Sequence, residues 1–170
     1  MDAAPWTPPA GTAGLIFDCD GTLADTMPVH YVAWTTMLTR YGIVFTEKRF
    51  YELGGVPTAQ IIDILSRETG VAVADVARMV HEKETHFLEN LHAVRPLERV
   101  VAVAAAYRGK LPLAVASGGY RDTITRTLDA LGIRDWFDAM VTAEDTARHK
   151  PEPDVFLEAA RRPGRRTAPG

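Results

Sequence analysis

Cysteine is nearly absent, basic charge is not in excess, and no long apolar run occurs. Cys19 is the only cysteine among 170 residues, so an internal disulfide is excluded and a zinc site has no cysteine pair to build on. That usage suits a reducing compartment such as the cytoplasm. Nineteen Lys and Arg against 22 Asp and Glu leave a net charge of −3 and a pI near 5.9, which offers no field for nucleic acid. No stretch approaches the roughly 20 apolar residues that cross a bilayer. The opening MDAAPWTPPAGTAG has neither the basic start nor the apolar centre of a signal peptide and reads as a loose lead-in. The expectation is a soluble, cytoplasmic protein that engages neither nucleic acid nor membrane. What is present is 46% hydrophobic residues, enough for one substantial core, or a core with a small satellite.

The apolar residues fall into two patterns. GLIF, at 14–17, is short and bounded by Gly and Asp, as a strand buried on both faces should be. From Pro28 the period changes. PVHYVAWTTMLTRYG sets Trp34, Leu38 and Tyr41 at helical spacing, with Pro in the first turn and Gly42 at the stop. PTAQIIDILSRETG closes on Gly70, and ADVARMVHEKETHFLENL aligns Val76, Val80, Phe87 and Leu91. After Pro96 helices and strands alternate: LERVVAVAAAYRG, the strand LPLAVAS, YRDTITRTLDALG, the strand AMVTAE, and PDVFLEAARR. Such alternation predicts a Rossmann-like α/β core with parallel strands joined by right-handed crossovers. The helical block 28–94 is then an inserted cap, and 1–27 with 95–170 form the discontinuous core. Open sheets of this kind bind ligands at the carboxyl ends of their strands. The tail RRPGRRTAPG has no periodicity and is expected to be disordered.

The stretch DCDGTLADT at 18–26 follows the first strand directly. With period-two alternation Asp18 and Asp20 point one way and Cys19 the other. Paired carboxylates can hold a hard cation. One can also attack phosphorus while the other gives a proton to the leaving alcohol and later takes one from water. Gly21 permits a tight turn and Thr22 supplies a hydroxyl. The bland alternative is an acidic turn. A calcium EF-hand loop fails, because Thr22 falls at its fifth position and the glycine comes too early.

DCDGTLADT resembles the first motif of the haloacid dehalogenase superfamily of aspartyl-phosphate-forming phosphotransferases. LAVASGG resembles the second, in which Ser117, Gly118 and the following amides cradle phosphate at a helix N-terminus. HKPEPDVF resembles the third, in which Lys150 offsets charge on the nucleophile and the transferring group. The helical cap and ADTMPVHYVAW are similar to the β-phosphoglucomutase-like and sugar-phosphatase branch. There His30 lies near the hinge and orients or assists Asp20; the alternative is a plain surface histidine. LGGVPTAQII resembles that branch's substrate loop, with Gly55, Pro57 and Thr58 facing the site. The mutases carry a basic residue in this loop. GGVPTAQ has none, which favours hydrolysis, unless Lys83 or Arg49 supplies the cation.

The resemblance implies catalysis by Asp18, Asp20 and Lys150, with magnesium held by Asp18 and Asp20, and it runs from Leu15 to about Arg161. The family's fourth motif, an acidic pair after Lys150, has no counterpart. Glu144 and Asp145 precede Lys150 and occupy a different place in the order. The core is therefore expected to be C-terminally incomplete, with weak magnesium binding and GLIF as an apolar edge that leaves the chain a monomer or an edge-paired dimer. Three classes follow: a magnesium-dependent phosphatase of small sugar or polyol phosphates acting through an aspartyl-phosphate, a β-phosphoglucomutase-like phosphomutase, or a phosphate-binding fragment of little activity. The expected partner in each is a small phosphorylated metabolite.

Overall fold

The structure, a computed structural model, describes residues 6–162. The disorder expected for the Arg- and Pro-rich tail concerns mostly residues outside that range. Strands β1 (Leu15–Phe17), β4 (Leu113–Ala116) and β5 (Ala139–Val141) form one sheet in the order β1-β4-β5. Both pairings are parallel, with Phe17 opposite Val115 and Ala116 opposite Val141. This register aligns the carboxyl ends, so the residues after the strands (Asp18, Ser117 and Thr142) emerge along one edge. Crossovers α5 (Glu98–Tyr107) and α6 (Arg121–Ala130) join the parallel strands, and α7 (Asp154–Arg161) follows β5.

The helical block consists of α1 (Met27–Thr39), α2 (Glu47–Glu52), α3 (Thr58–Thr69) and α4 (Val76–Glu89). Its ends are encoded locally. The Thr46 hydroxyl accepts from the Arg49 amide at 3.3 Å, the Asp75 carboxylate accepts from the Arg78 amide at 2.9 Å, and Gly70 closes α3 with φ of 72°. The short α2 has no apolar periodicity and is absent from the sequence expectation; its Thr46 cap was the available signal. A two-residue antiparallel ladder, β2 (Ala24–Asp25) with β3 (Arg95–Pro96), is also new. It pairs Ala24 with Pro96 and Asp25 with Arg95, so the segments entering and leaving the helical block run side by side.

The block has its own core, in which Trp34, Met37, Phe45, Phe50, Ile62 and Met79 pack together. A second core lies under the sheet around Phe17, Cys19, Leu113, Val115 and Ile124, and Phe87 of α4 reaches into it. The fully buried face of α4 overlaps the expected one only at Phe87. Met79, Lys83 and Phe87 are buried at i, i+4 and i+8, while Val76 and Val80 are only partly covered. Strand β1 also departs from its expected double burial. On the opposite face of the sheet α7 covers Ala114, Ala116 and Val141 through Val155 and Ala159. Ile16, opposite Ala114 on that same face, stays 37% exposed, because β1 has β4 on one side and no further described strand beyond it.

Candidate active site

A cavity of about 170 Å³ lies between the strand ends and the helical block. Asp18, Asp20, Ser117, Gly118 and Lys150 line it from below; His30, Gly55, Thr58, Lys83 and Glu84 line it from above. Strand alternation places the first pair: Cys19 is fully buried in the core while its two aspartate neighbours face the cavity. Burial pushes the Cys19 thiol well above its usual range, so this cysteine packs and does not react.

Lys150 donates to Asp18 Oδ1 at 2.8 Å and to the Ala116 carbonyl at 3.3 Å, and the Cys19 amide donates to the same Asp18 oxygen at 2.8 Å. Burial raises the proton affinity of Asp18; the Lys150 charge and hydrogen bond, opposed by the charge of Asp20, offset only part of that rise. Asp18 Oδ2 has no hydrogen bond from the described residues and faces open space.

Asp20 is placed differently. Its Oδ1 accepts from the Thr26 hydroxyl at 2.7 Å and from His30 Nε2–H at 3.0 Å. Lys83 Nζ donates to His30 Nδ1 at 3.0 Å, so Nδ1 must be the acceptor and the ring is the neutral tautomer with its proton on Nε2. The ring stacks on Phe87 at 3.9 Å. Desolvation and the Lys83 ammonium both hold His30 below its ordinary value. For Asp20 burial acts upward, but the hydrogen bonds from His30 and Thr26 and the nearby Lys83 ammonium win, and its carboxyl stays below the usual range.

Lys83, 3% exposed, also donates to Glu84 Oε1 at 2.9 Å. The same Glu84 oxygen accepts from Thr58 at 2.8 Å, and Oε2 accepts from Thr123 of α6 at 2.8 Å. Glu84 thus ties α3 and α4 to the sheet-side helix α6. Thr26, Glu84 and Thr123 as site residues were not anticipated, and Lys83 was expected only as a cation for substrate, not as the partner of His30 and Glu84. For Lys83 and Glu84 a signal existed: a lysine centred between Met79 and Phe87 on an apolar stripe needs a buried partner.

Beyond β4, the Ser117 amide donates to the Val141 carbonyl at 2.9 Å, and Ser117 Oγ accepts from the Gly119 amide at 3.0 Å. The Ser117 hydroxyl and the Gly118 amide have no acceptor among the described residues, and both residues line the cavity; the Gly119 amide is spent. Gly118 admits no side chain, since a Cβ there would stand 1.9 Å from the Gly55 carbonyl oxygen. The loop before α3 is therefore seated directly on the loop after β4. A Cβ on Gly55, whose φ is 86°, would press on Lys150 at 2.9 Å.

Some expected residues stay outside. Gly21, with φ of 71°, and Thr22, whose amide donates to the Cys19 carbonyl at 3.1 Å, build the turn between Asp20 and β2, and neither lines the cavity. Pro57 caps α3 without lining it. Arg49 is bonded to Glu68 and Glu52 on the outer surface. Glu144 and Asp145 serve the Thr142 turn and the α6 start, accepting from Thr142 and Arg121.

Magnesium is usually held by one or two carboxylates completed by water and phosphate oxygens. The Asp18 carboxylate and the Asp20 backbone carbonyl, both at the cavity, fit that donor set and leave the Asp20 carboxylate for proton transfer. No group of three His, Cys, Asp or Glu joins them among the described residues, so the protein offers a thin shell.

Residues 15–168 match the family described as haloacid dehalogenase-like hydrolase. This chain belongs to that family. Among curated relatives, the fructose-1-phosphate phosphatase YqaB of Escherichia coli is 38% identical over 154 residues, covering 89% of this chain and 80% of the relative. The 6-phosphogluconate phosphatase of the same organism is 31% identical, covering 86% of this chain and 66% of the relative. The β-phosphoglucomutase of Bacillus subtilis is 26% identical, over 86% and 67%. A solved hydrolase from Pseudomonas syringae superposes with a TM-score of 0.80 at 29% identity, covering 90% of this chain and 71% of that one. This haloacid dehalogenase-like hydrolase thus stands in the β-phosphoglucomutase-like branch, among sugar phosphatases, and is a hydrolase of the phosphomonoester class. No described helix is long and apolar enough to cross a membrane.

Proposed function

We propose that the protein is a cytoplasmic phosphatase of small sugar or polyol phosphates that works through an aspartyl-phosphate on Asp18, with residues 28–94 acting as a cap over the site. The observation that carries this reading is the pairing of Asp18 with Lys150 at 2.8 Å, beside an Asp20 gripped by Thr26 and His30, all on one cavity. Asp18 Oδ2 attacks phosphorus as the bond from phosphorus to the ester oxygen breaks. Lys150 keeps the other oxygen oriented and offsets the incoming charge. A phosphate dianion beside Asp20 raises its proton affinity, so Asp20 can take up a proton and deliver it to the departing alkoxide. In the second half, Asp20 removes a proton from water as the water oxygen bonds to phosphorus and the bond from phosphorus to Asp18 breaks, releasing inorganic phosphate. His30 keeps its proton on Nε2 throughout and so holds Asp20 in place. A magnesium ion carried by Asp18 and Asp20 would screen charge on the phosphoryl group.

Hydrolysis is supported over return of phosphate to a sugar because the loop Gly54–Thr58 offers no cation and Arg49 is committed elsewhere. The test is phosphate release from a panel of sugar and polyol monophosphates with magnesium present. Release that disappears in Asp18→Asn is expected. Isomerisation of sugar phosphate without free phosphate would establish the mutase reading, and no turnover with any compound would sink both.

A further inference from the structure

The upper wall of the cavity is largely apolar, built by Trp34, Phe50, Leu53 and Ile61, with His30, Thr58, Lys83 and Glu84 as its polar groups. Only two cations line the cavity among the described residues, and both are engaged. Lys150 holds Asp18. Lys83 holds His30 and Glu84, with its ammonium 5.5 Å from the Trp34 ring and 5.7 Å from the Phe87 ring. Neither can turn toward a second anion without stripping a buried partner.

Glu84 can be accounted for lone pair by lone pair. A carboxylate has about four acceptor sites. Lys83 and Thr58 take two on Oε1, and Thr123 takes one on Oε2. The Lys83 and Glu84 charges cancel at 2.9 Å, so the pair offers an anion no net attraction, and what remains on Oε2 accepts an O–H donor.

We infer that Glu84 is the specificity-determining residue of this cavity: it admits phosphomonoesters whose leaving group is neutral, short and hydroxylated, and rejects those carrying a carboxylate or second phosphate. The inference rests on the phosphatase reading of the same cavity and narrows it. Burying a second charge against Trp34 and Ile61 with no free cation is strongly unfavourable. The cavity is also small: its 170 Å³ is below the ~300–1,000 Å³ of sites for drug-sized ligands, which favours a leaving group no larger than a single sugar or polyol. Kinship does not make this choice, because the relatives include phosphatases named for a neutral sugar ester and for a phosphorylated acid.

The deciding comparison uses two hexose-derived esters that differ at one terminal carbon, glucitol 6-phosphate, which ends in an alcohol, and 6-phosphogluconate, which ends in a carboxylate. The wild-type kcat/KM is expected to favour the alcohol by about tenfold or more, the scale of one unpaired buried polar contact. Glu84→Gln, which keeps the shape and removes the charge, should narrow that ratio to within about threefold. Should that variant misfold, Val56→Lys adds a cation to the same wall from a half-buried loop position and should narrow it as well. Ligand-induced thermal shifts with the two esters read the same preference without turnover. Selective binding with no hydrolysis would overturn the phosphatase reading and leave this inference standing. Equal or reversed preference in the wild type, or an unchanged ratio in folded Glu84→Gln (in Val56→Lys where Glu84→Gln does not fold), would overturn the inference and leave the phosphatase reading intact.

Discussion

At Asp18 and Asp20 the same side chain, one residue apart, meets opposite surroundings. Asp18 is raised by burial that Lys150 only partly offsets, whereas Asp20 is lowered because Thr26 and His30 both donate to one of its oxygens. Environments that push two carboxyl groups apart divide the labour between them. The expected outcome for Asp18→Asn is a loss of turnover of about a thousandfold or more with the fold intact, checked by phosphate release beside a thermal melt. Lys83→Met should cost about 3–5 kcal/mol of stability, because it strands the carboxylate of Glu84 that Lys83 neutralises. Denaturant unfolding measures this, and Lys83→Met combined with Glu84→Gln should recover part of the loss. Glu84 also gives a pH dependence with a defined sign. Burial pushes its carboxyl up, but the Lys83 charge and the hydrogen bonds from Lys83, Thr123 and Thr58 prevail, leaving it below its usual 4.5. A depressed carboxyl adds stability that is complete above the unfolded value and is lost as pH falls through the folded one. The stability gap between wild type and Glu84→Gln should therefore be constant near neutrality and shrink below pH 4.5, read from urea unfolding across that range.

Among the elements, the contact that matters most is between the loop before α3 and the loop after β4. Gly118 lets the Gly55 carbonyl approach to where a Cβ would stand, and the bond from Thr123 to Glu84 adds a tie from α6 to α4. Gly118→Ala should lift the helical block off the sheet edge and raise KM by about tenfold or more. The thermal midpoint should fall little, because the two cores on either side do not share that contact. An unchanged KM would show that the seated arrangement is dispensable. The β2–β3 ladder lies at the other end of the block, where its two connections run together, and is the natural axis for such a lift.

Across the whole molecule, the order of strands and helices could be read directly, since each crossover helix and each strand after Pro96 carries its own period. The carboxylates, Ser117 and Lys150 were legible for the same reason: each directly follows, or lies shortly after, an apolar strand, and parallel register brings strand ends together. What sequence reading missed depends on contacts between distant segments. Lys83 was legible as a candidate cation, but its partners His30 and Glu84 were not, and Glu84 gains its role only when Thr58 and Thr123 arrive from two other helices. The two-residue ladder is too short to leave a pattern. Metal dependence also belongs at this scale: with the Asp18 carboxylate and the Asp20 backbone carbonyl as the described donors, turnover should need millimolar magnesium and vanish with a chelator, checked by titrating the ion into metal-free protein.

The central claim is that phosphate passes through the carboxylate of Asp18, and rapid acid quenching during turnover of a sugar phosphate, followed by mass spectrometry of the peptide containing Asp18, tests it most directly. A phosphoryl adduct on Asp18 that forms and decays at the rate of turnover, and is missing in Asp18→Asn, is the predicted result. Turnover with no adduct at Asp18, or an adduct elsewhere in the chain, would contradict it.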